Sequence, residues 1–153
     1  MADSILITGA SRGIGRTTAE RFAEAGWNVV ATMRDPADGT ELATRANVMV
    51  THLDVTDEQS ARDAVAAGID AFGAIDVVFN NAGYGVFGAL ETIEPESMQQ
   101  QFEVNVFGML RVTRAILPHF RARGEGLVIQ MSSIAGRAPF PPVSYTHLRA
   151  HET

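Results

Sequence analysis

The residues best suited to chemistry begin at Thr8-Gly9-Ala10-Ser11-Arg12-Gly13-Ile14-Gly15. An apolar run, Ile5-Leu6-Ile7, precedes this stretch, and an amphipathic segment, Arg16 to Ala25, follows it. A strand, a glycine turn and a helix in that order form an anion cradle. The turn's N–H groups and the helix N-terminus face a phosphate, and glycine lets it approach closely. A tight βα turn with no ligand uses the same glycines, so this motif alone leaves both readings open. Further along, Asp54, Asn80-Asn81, Asn105 and Ser132-Ser133 are polar residues set among apolar ones. Other chemistries are excluded. There is no Cys and hence no thiolate, and His52 and His119 are isolated, with no second ligand at metal spacing. These two histidines are expected in structural or surface roles.

The elements that must position these residues follow from apolar runs and breakers. Strands are expected at 4–8, 28–33, 48–53, 77–80 and 127–131, with runs buried on both faces as in parallel sheets. The first helix is expected over 14–25, with Ile14, Thr17, Thr18, Phe22 and Ala25 near one face and Gly26 ending it. Residues 40–46 suggest a short helix after Arg34-Asp35-Pro36. Thr56 suits an N-cap with Gln59 completing a capping box, before a helix reaching Phe72. That helix carries a weak apolar stripe at Ala61, Ala64, Val65, Ala67 and Ile69. A Gly-rich loop covers 81–91, and Pro95 fits the first turn of a long helix over 96–123, kinked or ended late by Pro118. Alternating strands and helices imply an α/β fold, a doubly wound parallel sheet with right-handed crossovers.

The chain's 153 residues and 46% hydrophobic content suit one domain with a core. Net charge is −6, with no basic run, which argues against nucleic acid and anionic membranes as partners. No apolar run approaches the roughly 18 residues of a membrane span. Met1-Ala2-Asp3-Ser4 leads straight into a strand, so no signal peptide is expected and the cytoplasm is the expected location.

In combination these motifs resemble the short-chain dehydrogenase/reductase family, over residues 4 to about 142. Thr8-Gly9-x-x-x-Gly13-x-Gly15 is similar to the family's glycine signature, and Leu53-Asp54-Val55-Thr56 to its adenine-contacting turn. Asn80-Asn81-Ala82-Gly83 resembles the signature after the fourth strand, where the second Asn ties neighbouring strands and Ala-Gly passes the nicotinamide ribose. Gln130-Met131-Ser132-Ser133 resembles the segment bearing the active-site Ser. The resemblance implies a Rossmann-type sheet in the order 3-2-1-4-5. It implies a cofactor set of Gly9, Ser11, Arg12, Gly13, Ile14, Gly15, Arg34, Asp54, Val55, Asn81, Ala82 and Gly83. Ser133 and Asn105 would be the catalytic members, Asn105 holding a water in a proton relay. A helix-capping Asp54 and a solvated Asn105 are the plain alternatives. The substrate would be a small alcohol or carbonyl compound, with Tyr84-Gly85-Val86-Phe87-Gly88 and residues 137–142 lining part of an apolar pocket. The parent would be a homo-oligomer. The end of strand two carries Met33 where a carboxylate would select NAD(H), and Arg12 and Arg34 suit a 2′-phosphate, so NADP(H) is expected over NAD(H). Asp35, next to Arg34, weakens that argument a little. A dinucleotide-binding sensor without catalysis is the alternative class.

The resemblance fails at its catalytic end. The family uses Tyr-x-x-x-Lys, with Tyr as general acid/base and Lys lowering its pKa. Counting from Ser133 puts that Tyr at Thr146. Tyr145 is one residue short, Arg149 stands four residues after it, and the chain has no Lys. Residues 143–153, Val-Ser-Tyr-Thr-His-Leu-Arg-Ala-His-Glu-Thr, resemble the in-frame translation of a common transposase sequencing-library adapter. They are expected to be a non-native tail on a domain of residues 1–142, and the chain to be inactive. Without a covering helix, Met98, Phe102, Val106, Met109, Leu110, Val112 and Leu117 are expected to leave an exposed apolar patch.

Overall fold

A computed structural model describes residues 2–134. The expectations for 137–142 and for the tail at 143–153, including Tyr145, Thr146 and Arg149, lie outside the described residues. Five strands, β1 (Ser4–Thr8), β2 (Asn28–Met33), β3 (Val48–His52), β4 (Val77–Asn80) and β5 (Leu127–Gln130), pair in parallel in the order β3-β2-β1-β4-β5. This is the sheet order that the resemblance implied. The helices are α1 (Gly13–Glu24), α2 (Glu58–Phe72), α3 (Pro95–Phe102) and α4 (Met109–Arg123).

Alternation along β1 separates two cores. Ile5 and Ile7 join Val29, Ala31 and Phe79 on the side that α1 covers through Ala19 and Ala23. Leu6 joins Val30 and Val78 on the side covered by Ala61, Ala64 and Val65 of α2 and Val112, Ile116 and Phe120 of α4. A parallel strand buried on both faces therefore reads as a continuous apolar run. Because β2 and β4 lie on opposite sides of β1, the connections leave in opposite directions and open a crevice at the carboxyl ends of β1 and β4.

Several local expectations are corrected. The buried stripe of α1 is Gly15, Ala19 and Ala23, while Ile14 is 62% exposed and Thr17 and Ala25 are exposed. Small residues let this helix lie close against the sheet, and that outweighs side-chain hydrophobicity. Phe22 lies beside the stripe and meets Trp27 edge-on, with ring centroids 5.0 Å apart. The segment expected as a helix over 40–46 holds only a 3₁₀ turn, Leu42–Thr44, and a second 3₁₀ turn, Pro36–Gly39, precedes it. The Thr40 and Thr44 hydroxyls bond back to the Ala37 and Glu41 carbonyls there. The N-cap of α2 is Asp57, whose carboxylate accepts from the Gln59 N–H, rather than Thr56. The long helix is interrupted, with a π-helical stretch, Glu103–Gly108, between α3 and α4. Pro118 lies inside α4, which continues to Arg123.

The two histidines do structural work. His119 Nε2 accepts from the Ile75 N–H at 3.2 Å, and His52 Nδ1 lies 2.8 Å from the Arg34 carbonyl. Among the described residues no group of three metal-binding side chains occurs, and no helix is long and apolar enough to cross a membrane.

The apolar patch is differently composed from the expectation. Val112 is fully buried in the core, and Met98, Phe102, Val106, Met109 and Leu117 are half-buried. Phe107, Leu110, Leu127 and Ile129 are exposed, the last two on the edge strand β5, with Leu127 at 53%. An apolar edge that is unpaired among the described residues favours pairing between chains. We expect the chain to self-associate with rising concentration in sedimentation velocity, and Leu127→Lys combined with Ile129→Glu to reduce it. A monomer at every concentration would contradict this expectation.

Candidate functional site

The floor of the crevice is closed by Thr8, the last residue of β1. Its hydroxyl accepts the backbone N–H groups of Asn81 and Ala82, each at 2.9 Å, and donates toward the Phe79 carbonyl at 3.5 Å. The Asn81 side-chain amide donates to the carbonyls of Thr8 at 2.9 Å and Gly9 at 3.2 Å. On the other flank the Thr32 hydroxyl donates to the Ile7 carbonyl at 2.9 Å, and the Ala10 N–H donates to the Thr32 carbonyl at 2.9 Å. The ends of three neighbouring strands are thus bound together where a sheet would otherwise fray, and Asn81 makes the tie between β1 and β4 directly.

Two glycines of the turn are required by geometry. Gly9 turns the chain at φ +67°, and a Cβ there would come within 3.0 Å of the Ala82 Cα. A Cβ on Gly15 would sit 2.3 Å from the Gly9 carbonyl oxygen and 2.5 Å from Asn81 Nδ2. Gly15 therefore brings helix and strand together, and it does not line the cavity. Gly13, at φ +57°, also does not line the cavity, and its own Cβ position is open. The N-cap of α1 is Arg12, and no side chain caps the helix. Its first-turn N–H groups and the positive end of its dipole are accordingly open to an anion.

Above this floor lies a cavity of about 700 Å³, within the range of cofactor sites. Of the expected cofactor residues, Gly9, Ser11, Arg12, Ile14, Arg34, Asp54, Val55, Asn81, Ala82 and Gly83 line it together. They come from four separate stretches of chain. Met33, Leu53, Thr56, Tyr84, Gln100, Val104 and Met131 complete the wall. Thr56 and Met131 belong to motifs that the resemblance singles out, whereas nothing in the sequence marks Gln100 and Val104 for the site. Gln100 and Val104 stand four residues apart on one helical face, a spacing that every helix offers many times. Ser133 does not line the cavity. It is exposed, two residues beyond Met131.

Asp54 is organised by its own turn. Its Oδ1 accepts the Thr56 N–H at 2.9 Å and the Thr56 hydroxyl at 2.8 Å, while its backbone N–H donates to the Ser60 hydroxyl. Partial burial opposes ionisation, but the two Thr56 hydrogen bonds, with Arg34 and His52 nearby, outweigh it and hold the carboxyl below its ordinary value. Asp54 is thus a charged acceptor at the cavity wall rather than a helix cap.

Asn105 is buried in the π-helical stretch and faces the loop after β4. Its Oδ1 accepts the Tyr84 N–H at 3.0 Å and its Nδ2 donates to the Tyr84 carbonyl at 2.7 Å. The side chain is engaged with loop backbone, so it is not the solvated residue of the plain alternative. The water-relay role rests on the resemblance alone.

Two outcomes test this construction. A carboxyl whose pKa is lower in the folded than the unfolded state adds stability that is present above the unfolded pKa and disappears as pH falls through the folded one. Asp54→Asn should lower the urea midpoint at neutral pH, and the difference should shrink as pH falls below the ordinary carboxylate range and through the lowered folded-state pKa of Asp54. A constant difference across that pH range would show that charge is not the cause. Gly15→Ala should cost about 1–3 kcal/mol in the same melts through overpacking. An unchanged midpoint would mean that the turn relaxes freely.

The short chain dehydrogenase family model matches residues 3–145. Oxidoreductase BOA17 of Botryotinia fuckeliana (strain B05.10) is 40% identical over 141 residues, which is 90% of this chain and 52% of that protein. The gluconate 5-dehydrogenase of Burkholderia cenocepacia J2315, solved with NADP and tartrate, superposes with a TM-score of 0.89 at 31% identity, covering 97% of this chain and 60% of that one. The 3-ketoacyl-(acyl-carrier-protein) reductase of Brucella melitensis, solved with NADH, gives 0.91 at 32% identity, covering 97% and 64%. The chain spans about half the length of the curated relatives it matches. The parallel sheet, the Gly9–Gly15 turn, the Asn81 tie and the cavity above them are accounted for together: the chain belongs to the short-chain dehydrogenase family.

Proposed function

We propose that this chain is the dinucleotide-binding part of an NADP(H)-dependent oxidoreductase that interconverts a small alcohol and its ketone. The observation that carries the reading is the charge along one side of the cavity. Arg12 and Arg34 both line it, Met33 stands at the end of β2 where a ribose-binding carboxylate would be, and neither Arg is drawn into an ion pair among the described residues. Asp35, the nearest competing carboxylate in sequence, accepts the Ala37 N–H at 3.0 Å. Two guanidiniums outside any close ion pair among the described residues, Arg34 having only the through-space attraction of Asp54, suit a 2′-phosphate. The likeness to solved dehydrogenases carrying NADP and NADH supports a nicotinamide dinucleotide in general.

In this reading the uncapped first turn of α1 and the N–H groups of the glycine turn hold the pyrophosphate. Asp54 accepts from the adenine amino group, and Asn81, Ala82 and Gly83 carry the backbone past the nicotinamide ribose. Bound nicotinamide supplies or takes up the hydride. Ser133 would donate a hydrogen bond to the substrate carbonyl, and Asn105, bonded to the Tyr84 backbone, would hold a water of the proton relay. The chain has no Lys, so no Tyr-x-x-x-Lys pair can complete the proton path, and we propose that it is inactive alone. Residues 143–153 are, in the same reading, a non-native tail. A cytoplasmic homo-oligomer is the proposed parent.

Titration by nucleotide fluorescence should give tighter binding of NADPH than of NADH. Arg34→Ala should weaken NADPH by roughly ten- to a hundredfold, the worth of a charge-assisted contact, and leave NADH nearly unchanged. Equal affinities in the unaltered chain would overturn the cofactor preference.

A further inference from the structure

The loop after β4 forms one lip of the cavity through Gly83 and Tyr84, yet residues 81–87 carry no regular hydrogen-bonded structure. Gly83, Gly85 and Gly88 give it little conformational preference of its own. It is held from α3 and the π-helical stretch by two side-chain amides four residues apart. Asn105 grips Tyr84 on both its N–H and its carbonyl, and Gln101 Oε1 accepts the Val86 N–H at 3.1 Å. Gln101 is only 5% exposed. A buried Gln needs a reason, because burying an amide without partners costs more than burying an apolar side chain of the same size. Its neighbours Gln100 and Val104 face the cavity, whereas Gln101 does not line it and reaches across to the lip.

We infer that Gln101 is a positioning residue that sets the lip of the dinucleotide cavity by fixing the backbone at Val86. The inference rests on the dinucleotide reading. The Val86 N–H has its hydrogen bond from Gln101, and the Phe87 ring folds back over Gly85, close enough that a Cβ on Gly85 would meet its Cε2 at 3.3 Å. The bond at Val86 therefore ties down the stretch between Tyr84 and the bridged Gly88, and Asn105 ties down Tyr84 itself. Releasing Val86 loosens the segment from Gly85 to Phe87, which adjoins the cavity wall at Tyr84. Only the oxygen of Gln101 is engaged among the described residues, so a carboxylate of the same length keeps the interaction, as an acceptor to a backbone N–H.

The test uses the full chain with NADPH as the probe, read by nucleotide fluorescence and by hydrogen exchange at the loop amides. Gln101→Met should raise the NADPH Kd roughly three- to tenfold, the range set by one lost hydrogen bond, and speed exchange at Val86. Gln101→Glu should return both toward the parent values. A purely structural role would lower the melting temperature and leave the Kd of the folded protein unmoved. An unchanged Kd in Gln101→Met overturns the inference, and so does a Gln101→Glu protein as weak as Gln101→Met. If Gln101→Met does not fold, Gln101→Ala takes its place in the same two readouts: a raised NADPH Kd with faster exchange at Val86 supports the inference, and an unchanged Kd overturns it. Failure of the unaltered chain to bind any nicotinamide dinucleotide removes the dinucleotide reading, and this inference with it. Binding by the unaltered chain with an indifferent Gln101→Met removes this inference alone.

Discussion

The contact between the end of β1 and the start of the loop after β4 is the constraint on which the rest of the molecule depends. A parallel sheet exposes backbone groups wherever its strands stop, and here β1 and β4 stop side by side in the middle of the sheet. Left unpaired, those buried groups would each cost of order 1–3 kcal/mol. The Thr8 hydroxyl takes two of the donors, and the Asn81 amide takes two of the acceptors. That arrangement leaves space for one helix to approach, and only a residue without a Cβ fits at Gly15. Strand ends, glycine turn and helix N-terminus form one unit, and the cavity is what remains above it.

Electrostatics then differentiates the cavity on a molecule of net charge −6. The uncapped end of α1, Arg12 and Arg34 give one side a positive character that the protein as a whole lacks. Asp54 is held ionised by Thr56 beside that positive side, so the wall presents both an acceptor for donors and a cradle for anions. Tyr84, Gln100, Val104 and Met131 also line the cavity, and the backbone beside Tyr84 is held by the amides of Gln101 and Asn105. A long polar ligand with distinct ends matches such a division.

How far this was legible in the sequence varied with the physics of each element. The strands were readable because residues buried on two faces leave continuous apolar runs, and β1, β2 and β4 lie within the limits their runs suggested. The apolar face of α1 was not readable. Small side chains define that face by how near the sheet comes, and hydrophobic periodicity is blind to this. The spacing of Thr56 to Gln59 fits a capping box, but Asp57 is one residue closer to the helix and Asp54 competes for the Thr56 hydroxyl. The π-helical stretch has no signature in residue types. It became visible only in the way that Asn105 is turned toward Tyr84.

By itself the sequence determined which chemistry-bearing residues are present and in what order: the glycine turn, Asp54, the Asn80–Gly83 segment, two arginines without a carboxylate at the end of strand two, and no Lys. These are properties of residue type and chain order, and they survive any rearrangement in space. The tertiary structure alone decided which of those residues share a cavity, that Gly15 sits against Gly9 and Asn81 and not in the cavity lining, and that Ser133 lies outside that lining. It also decided that buried amides on the helix grip the lip. Those outcomes depend on distances between segments more than twenty residues apart, such as the 2.9 Å between Asn81 and Thr8, and no local pattern encodes them.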